Sequence, residues 1–332
     1  MLLKEPNPNF TSFLYQNINN MENRILGLHH ITAIANNARR NYDFYTKVLG
    51  LRFIKKTVNF DDPGTYHFYF GDEKGTPGSI LTFFPWEGVG KGRQGAGMTT
   101  EIGYAVPDKS LVYWKDRFQK NNVRIADSGT RFGEQYLSFE DPDGLPLTLI
   151  VPAGGDARLP WETADVKTDV AIRGFHSVTL SLSAIEETAK ILTNIFDYSP
   201  AGQEGNRYRY VTNAIEGAAT VDLLQVPAGI RAVNAGGTVH HVAFRVKNED
   251  ILMHFREKVL RHGGLNITPK IDRNYFFSLY FREPGGVLFE IATDNPGFTI
   301  DESVSELGKN LKLPPQYERS RAEIEKVLPS LG

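Results

Sequence analysis

The chain contains no cysteine, and among its 332 residues the positive and negative charges nearly cancel. Without cysteine it can form no disulfide, no thiolate metal site and no cysteine nucleophile, so any bound metal must be held by histidine, aspartate or glutamate. The formal net charge of −2 argues against binding to nucleic acid or to a membrane surface, because both partners require a concentrated basic face. Small molecules are therefore the expected partners.

Long apolar segments are also lacking. There is no run of about 18 apolar residues that would span a bilayer, and the N-terminus has no apolar core of the kind found in signal peptides. We therefore expect a cytoplasmic protein. Residues 1–24 are polar, rich in asparagine and without periodicity, which predicts a disordered N-terminal extension. The overall composition, 41% hydrophobic and 23% charged, is typical of a soluble globular protein.

The sequence contains an internal repeat. A segment that begins with glycine and continues as a predicted strand occurs at 27–35, 97–106, 174–182 and 237–246. Each copy is followed by apolar residues at helical spacing, at 38–49, 111–120, 184–195 and 249–262. Two hairpin-like segments, 141–150 and 283–292, also match each other closely. The pattern predicts an α+β fold made of four βαβββ modules.

We place the modules at 25–95, 96–155, 170–232 and 236–297, with a linker at 156–169. The tail, 298–332, contains a charged segment over 318–327 with helical apolar spacing, which predicts a terminal helix.

Two histidine pairs occupy the same position in modules one and four. They are His29-His30 and His240-His241, and they account for four of the eight histidines. Because adjacent strand residues point to opposite faces, only one histidine of each pair is expected to face a given site. The alternating apolar residues assign His30 and His241 to the inner face. The same alternation in the last hairpin turns Glu290 inward.

Two imidazoles and one carboxylate form a donor set that suits non-haem iron, because it leaves coordination positions open for substrate and O2. A buried carboxylate also needs a partner, and a cation is one. The residues therefore predict a metal centre at His30, His241 and Glu290. The other histidines, His67, His176, His254 and His262, lack this support and are interpreted as packing or surface residues.

These motifs resemble the vicinal oxygen chelate superfamily, which includes glyoxalases, bleomycin-resistance proteins and extradiol dioxygenases. Within it, the chain is similar to the hydroquinone-type ring-cleaving dioxygenases, including the bacterial group linked to methylhydroquinone and quinone stress. The resemblance runs from Gly27 to the C-terminus. The motifs that carry it are 28–32, 236–241, 272–280, 289–290 and Leu313-Pro-Pro.

The resemblance implies metal ligands at the three residues already selected. It implies catalytic roles for a further set of side chains, namely His29, Thr32, His240, Arg273 and Tyr280. Folding the last hairpin about Pro284-Gly-Gly286 independently places Tyr280 opposite Glu290 on the same face. Tyr275 and Phe276 are further candidates, either to stack on an aromatic substrate or to pack in the core.

The superfamily builds each site from two modules whose sheets curl together. Since the ligands come from modules one and four, these should form one curled half-barrel of mixed sheet, and modules two and three the other. The second half-barrel has Thr100, Ser177 and Thr148 at the expected ligand positions, and we expect it to be metal-free.

The implied activity is ring cleavage of a hydroquinone or catechol by O2, in the degradation or detoxification of aromatic compounds. The implied cofactor is Fe(2+), with Mn(2+) as the alternative. One rival is a glyoxalase-like lyase or isomerase; alignment of the hairpins puts Phe83 where its fourth, carboxylate ligand would lie. Another is a metal-free protein that binds an aromatic drug. The oligomeric state stays open, a homo-oligomer included.

Overall fold

The computed structural model describes residues 23–229 and 232–331. The predicted extension over 1–24 lies outside the described residues except for its last two positions. No helix in the described part of the chain is both long enough and apolar enough to cross a bilayer.

Sixteen strands form the framework. The first eight are β1 Leu28–Ala35, β2 Arg52–Val58, β3 Tyr66–Gly71, β4 Ile80–Pro85, β5 Met98–Ala105, β6 Ile125–Arg131, β7 Glu134–Glu140 and β8 Pro146–Val151. The second eight are β9 Gly174–Leu182, β10 Ser199–Glu204, β11 Arg207–Val211, β12 Thr220–Gln225, β13 Thr238–Val246, β14 Ile271–Asp272, β15 Phe276–Arg282 and β16 Leu288–Pro296.

These strands form two curled mixed sheets of eight strands each. The first has the order β14-β15-β16-β13-β1-β4-β3-β2, and the second has the order β10-β11-β12-β9-β5-β8-β7-β6. At the centre of the first sheet β1 runs antiparallel to β13, whereas β4 and β16 pair in parallel with β1 and β13 respectively. The predicted pairing of module one with four, and of two with three, is confirmed.

The helices follow the first strand of each module, as their apolar spacing predicts. They are α1 Ala38–Asp43 with a π-helical turn over Phe44–Val48, α2 Ser110–Lys120, α3 Glu186–Lys190 with a π-helical turn over Ile191–Ile195, and α4 Glu249–His262. In the tail, α5 spans Arg321–Val327 within the predicted helical segment. Asn37 and Asn248 cap α1 and α4 by accepting a backbone N–H. The helices cover the outer faces of the sheets, where most of the hydrophobic core lies.

The glycine that opens each repeat is required by its backbone. Gly27 and Gly237 have φ angles of 83° and 79°, a region that L side chains rarely adopt. A Cβ on Gly237 would lie 2.2 Å from the carbonyl oxygen of Asp143. The repeated glycine therefore allows the modules to pack closely at the start of β1 and β13.

Both central strands of the first sheet contain a β-bulge at the histidine pair. On β1 the register shifts between Leu28 and His30, and on β13 it skips His240. In a bulge two consecutive residues oppose one residue of the partner strand, so strict alternation is interrupted. Leu28 and Ile31, on either side of the first pair, accordingly both pack in the outer core. The prediction that the two histidines of a pair face opposite sides is therefore wrong.

One end of the inner face of the first half-barrel is closed by a separate apolar cluster, which we call the inner cluster. Its residues are Ile54, Tyr69, Ile80, Ala243, Tyr275, Phe276, Ala292, Phe298 and Leu307. Lys55, fully buried, ties the tail to this end: its ammonium group contacts Glu302, lies 2.7 Å from Asp301 and sits 4.8 Å from the ring centroid of Tyr275. The other end of the inner face is open.

Candidate metal centre and substrate cavity

Three side chains from three neighbouring strands converge on the inner face of the first half-barrel. Nε2 of His30 on β1 lies 3.1 Å from Oε2 of Glu290 on β16, and Nε2 of His241 on β13 lies 2.9 Å from the same oxygen. The potential ligand atoms all lie within 4.8 Å of one another, and all three residues are buried. Among the described residues this is the one such group of three. The structure therefore brings together the three predicted ligands.

The bonding of these atoms fits a divalent cation. Nε2 of His241 and Oε2 of Glu290 are buried and, despite their proximity, neither has a hydrogen bond of acceptable geometry. Buried polar atoms without partners are rare in native proteins, since they lose hydration without compensation. A cation bound between the three side chains would supply the missing partner, and two imidazoles with one carboxylate are suitable ligands for it.

The carboxylate of Glu290 is held in orientation and kept charged. Ser278, fully buried on β15, donates its hydroxyl hydrogen to Oε1, which leaves Oε2 facing the histidines. Burial alone would raise the pKa of Glu290, but His30 and His241 hold that pKa well below its usual value. Burial in turn lowers the pKa of His241, in spite of the carboxylate beside it. An ionised carboxylate and a neutral imidazole are the forms that bind a metal.

The hydrogen bonds of His29 determine which nitrogen of His30 is free. Nε2 of His29 lies 3.0 Å from the carbonyl oxygen of Thr293, which can only accept, so this nitrogen carries the hydrogen. Nδ1 of neutral His29 is then an acceptor, and it lies 2.9 Å from Nδ1 of His30, which must donate. The lone pair of His30 is thereby left on Nε2, the atom that faces Glu290.

The second pair repeats this arrangement with one difference. Nδ1 of His240 lies 2.8 Å from Nδ1 of His241, so a metal-binding Nε2 on His241 makes Nδ1 of His240 the acceptor. The hydrogen of neutral His240 is then on Nε2, and His240 lines the open cavity. His29, in contrast, lies behind His30 toward the inner cluster, 5.1 Å from the ring of Phe276, and is not among the residues that line this cavity.

A cavity of about 440 Å3 opens in front of the triad. Its wall is formed largely by aromatic and imidazole rings, namely His30, His67, Tyr69, Phe84, Trp86, His240, His241, Phe276 and Tyr280, with Phe60 and Leu288. Its remaining lining residues are Asn59, Asp61, Asp62 and Arg273. Of the two predicted aromatic candidates, Phe276 reaches the cavity, 4.9 Å from the ring of His30. Tyr275 instead packs on Phe298 in the inner cluster.

Tyr280 lies directly across from Glu290 in the β15–β16 register, which confirms the position predicted from the hairpin. Nε of Arg273 donates to the hydroxyl oxygen of Tyr280 over 3.3 Å. Burial and the nearby Glu290 raise the pKa of Tyr280, so its phenol is neutral and can donate a hydrogen bond. The guanidinium group of Arg273 also lies 3.4 Å from Asp61 at the cavity mouth.

The interpretation of His67 as a packing or surface residue is wrong, because His67 lines the cavity. Its Nδ1 lies 2.9 Å from the hydroxyl of Tyr69, and its Nε2 lies 2.9 Å from the hydroxyl of Thr82. Thr82 in turn bonds Thr32 over 2.8 Å. Thr32 is thus placed below the cavity wall, at the end of a chain of polar contacts. Burial and the neighbouring His30 lower the pKa of His67.

The residue equivalent to Glu290 in module one is Thr82, and the prediction of Phe83 is wrong by one position. Glu290 pairs with Ala243, two residues after His241, and Thr82 pairs with Thr32, two residues after His30. Phe83 faces the outer core. The segment from the turn proline to the inward residue is one residue shorter in module one, from Pro77 to Thr82, than in module four, from Pro284 to Glu290. Neither Thr82 nor Phe83 offers a carboxylate.

In the second half-barrel a bulge likewise moves one predicted position by a residue: Glu101, and not Thr100 as predicted, lies at the place that corresponds to His241. The bulge on β5 falls at Thr100, so Glu101 occupies the place of His241, while Ser177 and Thr148 correspond to His30 and Glu290 as predicted. This inner face is filled by ion pairs: Arg131 with Glu101, Arg207 and Arg209 with Asp222, and Arg209 and His176 with Glu134. Its carboxylates are engaged by guanidinium groups.

Comparison with known proteins agrees with this geometry. The family model of the glyoxalase/bleomycin resistance protein/dioxygenase superfamily matches residues 27–149 and 174–291. The chain belongs to this superfamily, which is the class that the two half-barrels and the placement of the triad across modules one and four define.

Relatives narrow the class further. The chain is 45% identical to "Putative ring-cleaving dioxygenase MhqO" of Bacillus subtilis strain 168, over 93% of this chain and 97% of that protein. It is 37% identical to a chlorohydroquinone/hydroquinone 1,2-dioxygenase of Sphingobium indicum, over 92% of this chain and 96% of that one. A crystal structure of a Bacillus subtilis protein described as a putative dioxygenase superposes with a TM-score of 0.89 at 44% identity. The match covers 93% of this chain and 98% of that chain. Within the superfamily the chain therefore groups with the proteins named as ring-cleaving dioxygenases.

Proposed function

We propose that this protein is an Fe(2+)-dependent dioxygenase that cleaves the ring of hydroquinones, with His30, His241 and Glu290 as the metal ligands. The observation that carries the proposal is the convergence of three buried ligand atoms at the base of a cavity walled by aromatic rings. The likeness to a protein named as a hydroquinone dioxygenase supports the substrate class. Mn(2+) is the alternative metal.

When bound, ferrous iron with two histidines and one carboxylate keeps open positions for an aromatic hydroxyl and O2, and exchanges electrons between them. The protein groups around it act on protons and orientation. His29 and Ser278 hold His30 and Glu290 in the required tautomer and rotamer. The lone pairs of the donor set are thereby directed at one point before any substrate enters.

Three groups facing the cavity are suited to handling the substrate oxygens. His240 presents Nε2–H to the cavity and can donate a hydrogen bond to, or exchange a proton with, a substrate oxygen. Tyr280 is a neutral phenol, and Arg273 is a permanent cation beside it. Together Tyr280 and Arg273 are placed to stabilise negative charge that develops on the ring or its oxygens. Thr32 and His29 lie behind the cavity wall, where Thr32 bonds Thr82 and His29 bonds His30.

The proposal favours a hydroquinone over a catechol as substrate. A catechol chelates through two adjacent hydroxyls, whereas a hydroquinone offers one hydroxyl at the metal and another on the opposite side of the ring. Arg273 and Tyr280, on the same wall as Glu290, would steady a substrate held by a single oxygen. Phe276, against His30, would stack on the ring and exclude water.

The rival functions lack comparable support. A glyoxalase-like lyase would use a fourth carboxylate from module one, but Thr82 at that place has a hydroxyl already bonded to Thr32. A metal-free drug-binding protein would have no need of a buried carboxylate and a buried imidazole whose ligand atoms lack hydrogen-bond partners.

The test begins with anaerobic purification, reconstitution with Fe(2+) and metal analysis. We expect close to one iron per chain and O2 uptake with methylhydroquinone that exceeds the rate with methylcatechol. The double variant His30→Ala, His241→Ala should lose both metal and uptake. A stoichiometry near two, or metal retained by that variant, would refute the assignment of ligands. Much faster turnover of methylcatechol would instead refute the hydroquinone preference.

A further inference from the structure

The cavity in front of the triad is larger than one aromatic ring requires. An engineered cavity of about 150 Å3 in another protein suffices to bind benzene, whereas this cavity has about 440 Å3. A water molecule takes only about 30 Å3 of liquid volume. A single hydroquinone ring at the metal therefore leaves space beside it comparable to a second group of similar size.

This additional space follows a row of rings that leads away from the triad. The ring centroids of His241 and His240 are 5.1 Å apart, those of His240 and Phe84 are 5.7 Å apart, and those of Phe84 and Trp86 are 5.4 Å apart. Trp86 is held in place by Asp62, which accepts a hydrogen bond from its indole N–H over 3.2 Å. Beyond the imidazole of His240, Phe84 and Trp86 form an apolar surface that extends toward the cavity mouth.

The charged groups at the mouth disfavour an anionic substituent. Asp61 and Asp62 both line the cavity, and their carboxylates lie near Arg273 and Trp86 respectively. An acidic group on the substrate would have to displace Asp61 from Arg273 and then lie close to Asp62. Like charges in this position oppose binding.

We propose, on the basis of the function proposed above, that the preferred substrate is a hydroquinone carrying a bulky, uncharged apolar group that lies along Phe84 and Trp86. The hydroxylated ring occupies the space between Phe276 and the triad. The apolar group fills the outer part of the cavity and displaces water from the aromatic row.

Turnover of a graded series tests this assignment. O2 uptake by the Fe(2+)-loaded full chain is measured with hydroquinone, methylhydroquinone, tert-butylhydroquinone and 2,5-dihydroxybenzoate. We expect kcat/KM to rise from the first to the third by about tenfold or more, as burial of several methyl groups implies, and to be lowest for the carboxylated compound. The ratio of kcat/KM for tert-butylhydroquinone to that for hydroquinone should fall about tenfold in Trp86→Ala, recover in Trp86→Phe, and stay unchanged in the control Trp161→Ala. Trp161 lies away from this cavity, beneath Arg52.

Binding without turnover separates this inference from the proposed reaction. The full chain loaded with redox-inert Zn(2+) is titrated calorimetrically with phenol, 3-tert-butylphenol and 3-hydroxybenzoate, in which the substituent is meta to the hydroxyl as in the hydroquinones. We expect 3-tert-butylphenol to bind about tenfold more tightly than phenol in the wild type, and Trp86→Ala to abolish the difference. If no hydroquinone supports O2 uptake while this order of binding affinities is observed, the proposed dioxygenase reaction is refuted and the inferred preference for a bulky apolar group is retained. Equal or weaker binding and turnover of the bulky compounds, or a preference for the carboxylated ones, would overturn the inference.

Discussion

Ser278 on β15 donates a hydrogen bond to Oε1 of Glu290 on β16, and both side chains are fully buried. One carboxylate oxygen is thereby engaged by the protein, and the other is left facing His30 and His241. Ser278 lies within the motif 272–280, which by itself predicts no role for this serine. Its contact nevertheless determines the rotamer of the only negatively charged member of the triad.

Ser278→Ala should therefore weaken metal binding. A hydrogen bond to a charged group contributes about 1.5–3 kcal/mol, and loss of such a supporting contact typically reduces metal affinity about 10- to 100-fold. Competition with a chelator of known affinity measures the change. The matched control is Ser138→Ala, since Ser138 bonds Thr148, the counterpart of Glu290 in the second half-barrel, over 2.9 Å. An affinity equal in the two variants would contradict the role of Ser278.

Glu290→Gln should abolish turnover while the fold is retained. The neutral amide has nearly the same size, so no cavity forms, but the site loses its negative charge and iron binding weakens. Thermal midpoint, iron content and O2 uptake are measured on one preparation. Glu249→Gln, on the exposed start of α4, serves as control. Full iron content with near-normal turnover would show that Glu290 is not a ligand.

His240→Ala should reduce kcat by about 100- to 10,000-fold, the usual contribution of a general acid or base. The three triad residues remain, but His241 loses the acceptor of its Nδ1 hydrogen, so iron binding should weaken as well. Single-turnover kinetics with iron analysis separate the two effects. His254→Ala, on α4 and remote from the cavity, should leave kcat unchanged. A kcat of His240→Ala within a few fold of the wild type would exclude proton transfer by this residue.

Lys55→Met should destabilise the protein strongly. Lys55 is fully buried beside Glu302, and removing the ammonium group leaves buried carboxylates without compensation, at a cost of about 3–5 kcal/mol. Urea denaturation measures the free energy of unfolding. Lys258→Met removes a partly exposed ion pair with Asp197, and it should lower the free energy of unfolding by about 1 kcal/mol or less. Adding Glu302→Gln to Lys55→Met should restore part of the loss, whereas a further loss would contradict the assigned pairing.

Glu134 should contribute stability that depends on pH. Burial opposes its charge, but His176 and Arg209 lower the pKa of Glu134 from its ordinary value of 4.5 to about 2. Because the folded state has the lower pKa, the stabilisation is complete above pH 4.5 and is lost as the pH falls toward 2. Glu134→Gln should therefore be less stable than the wild type at pH 6. The difference in urea midpoint between the variant and the wild type should become smaller at pH 3. A difference that is independent of pH would contradict the assigned pKa.

The repeats in the sequence sufficed to predict the four modules and the selection of His30, His241 and Glu290, because these depend on regular features. The pairing of modules one with four and two with three was implied by the family resemblance. The bulges were not predicted, since a single inserted residue has no compositional marker. The sequence nevertheless contained a signal of the first bulge. Leu28 and Ile31 are both apolar but three residues apart, and in a regular strand residues at this spacing point to opposite faces. His67 was missed because its position depends on where β3 pairs, which no local pattern specifies.

The ligands come from the first and the last module, and this order has a consequence for synthesis in the cell. While a ribosome is still translating the middle modules, the nascent chain carries His30 but neither His241 nor Glu290. The triad cannot form until β16 has emerged and paired with β13. Metal binding by the triad is therefore confined to chains that have emerged past β16, and translation products truncated before Glu290 lack the complete triad.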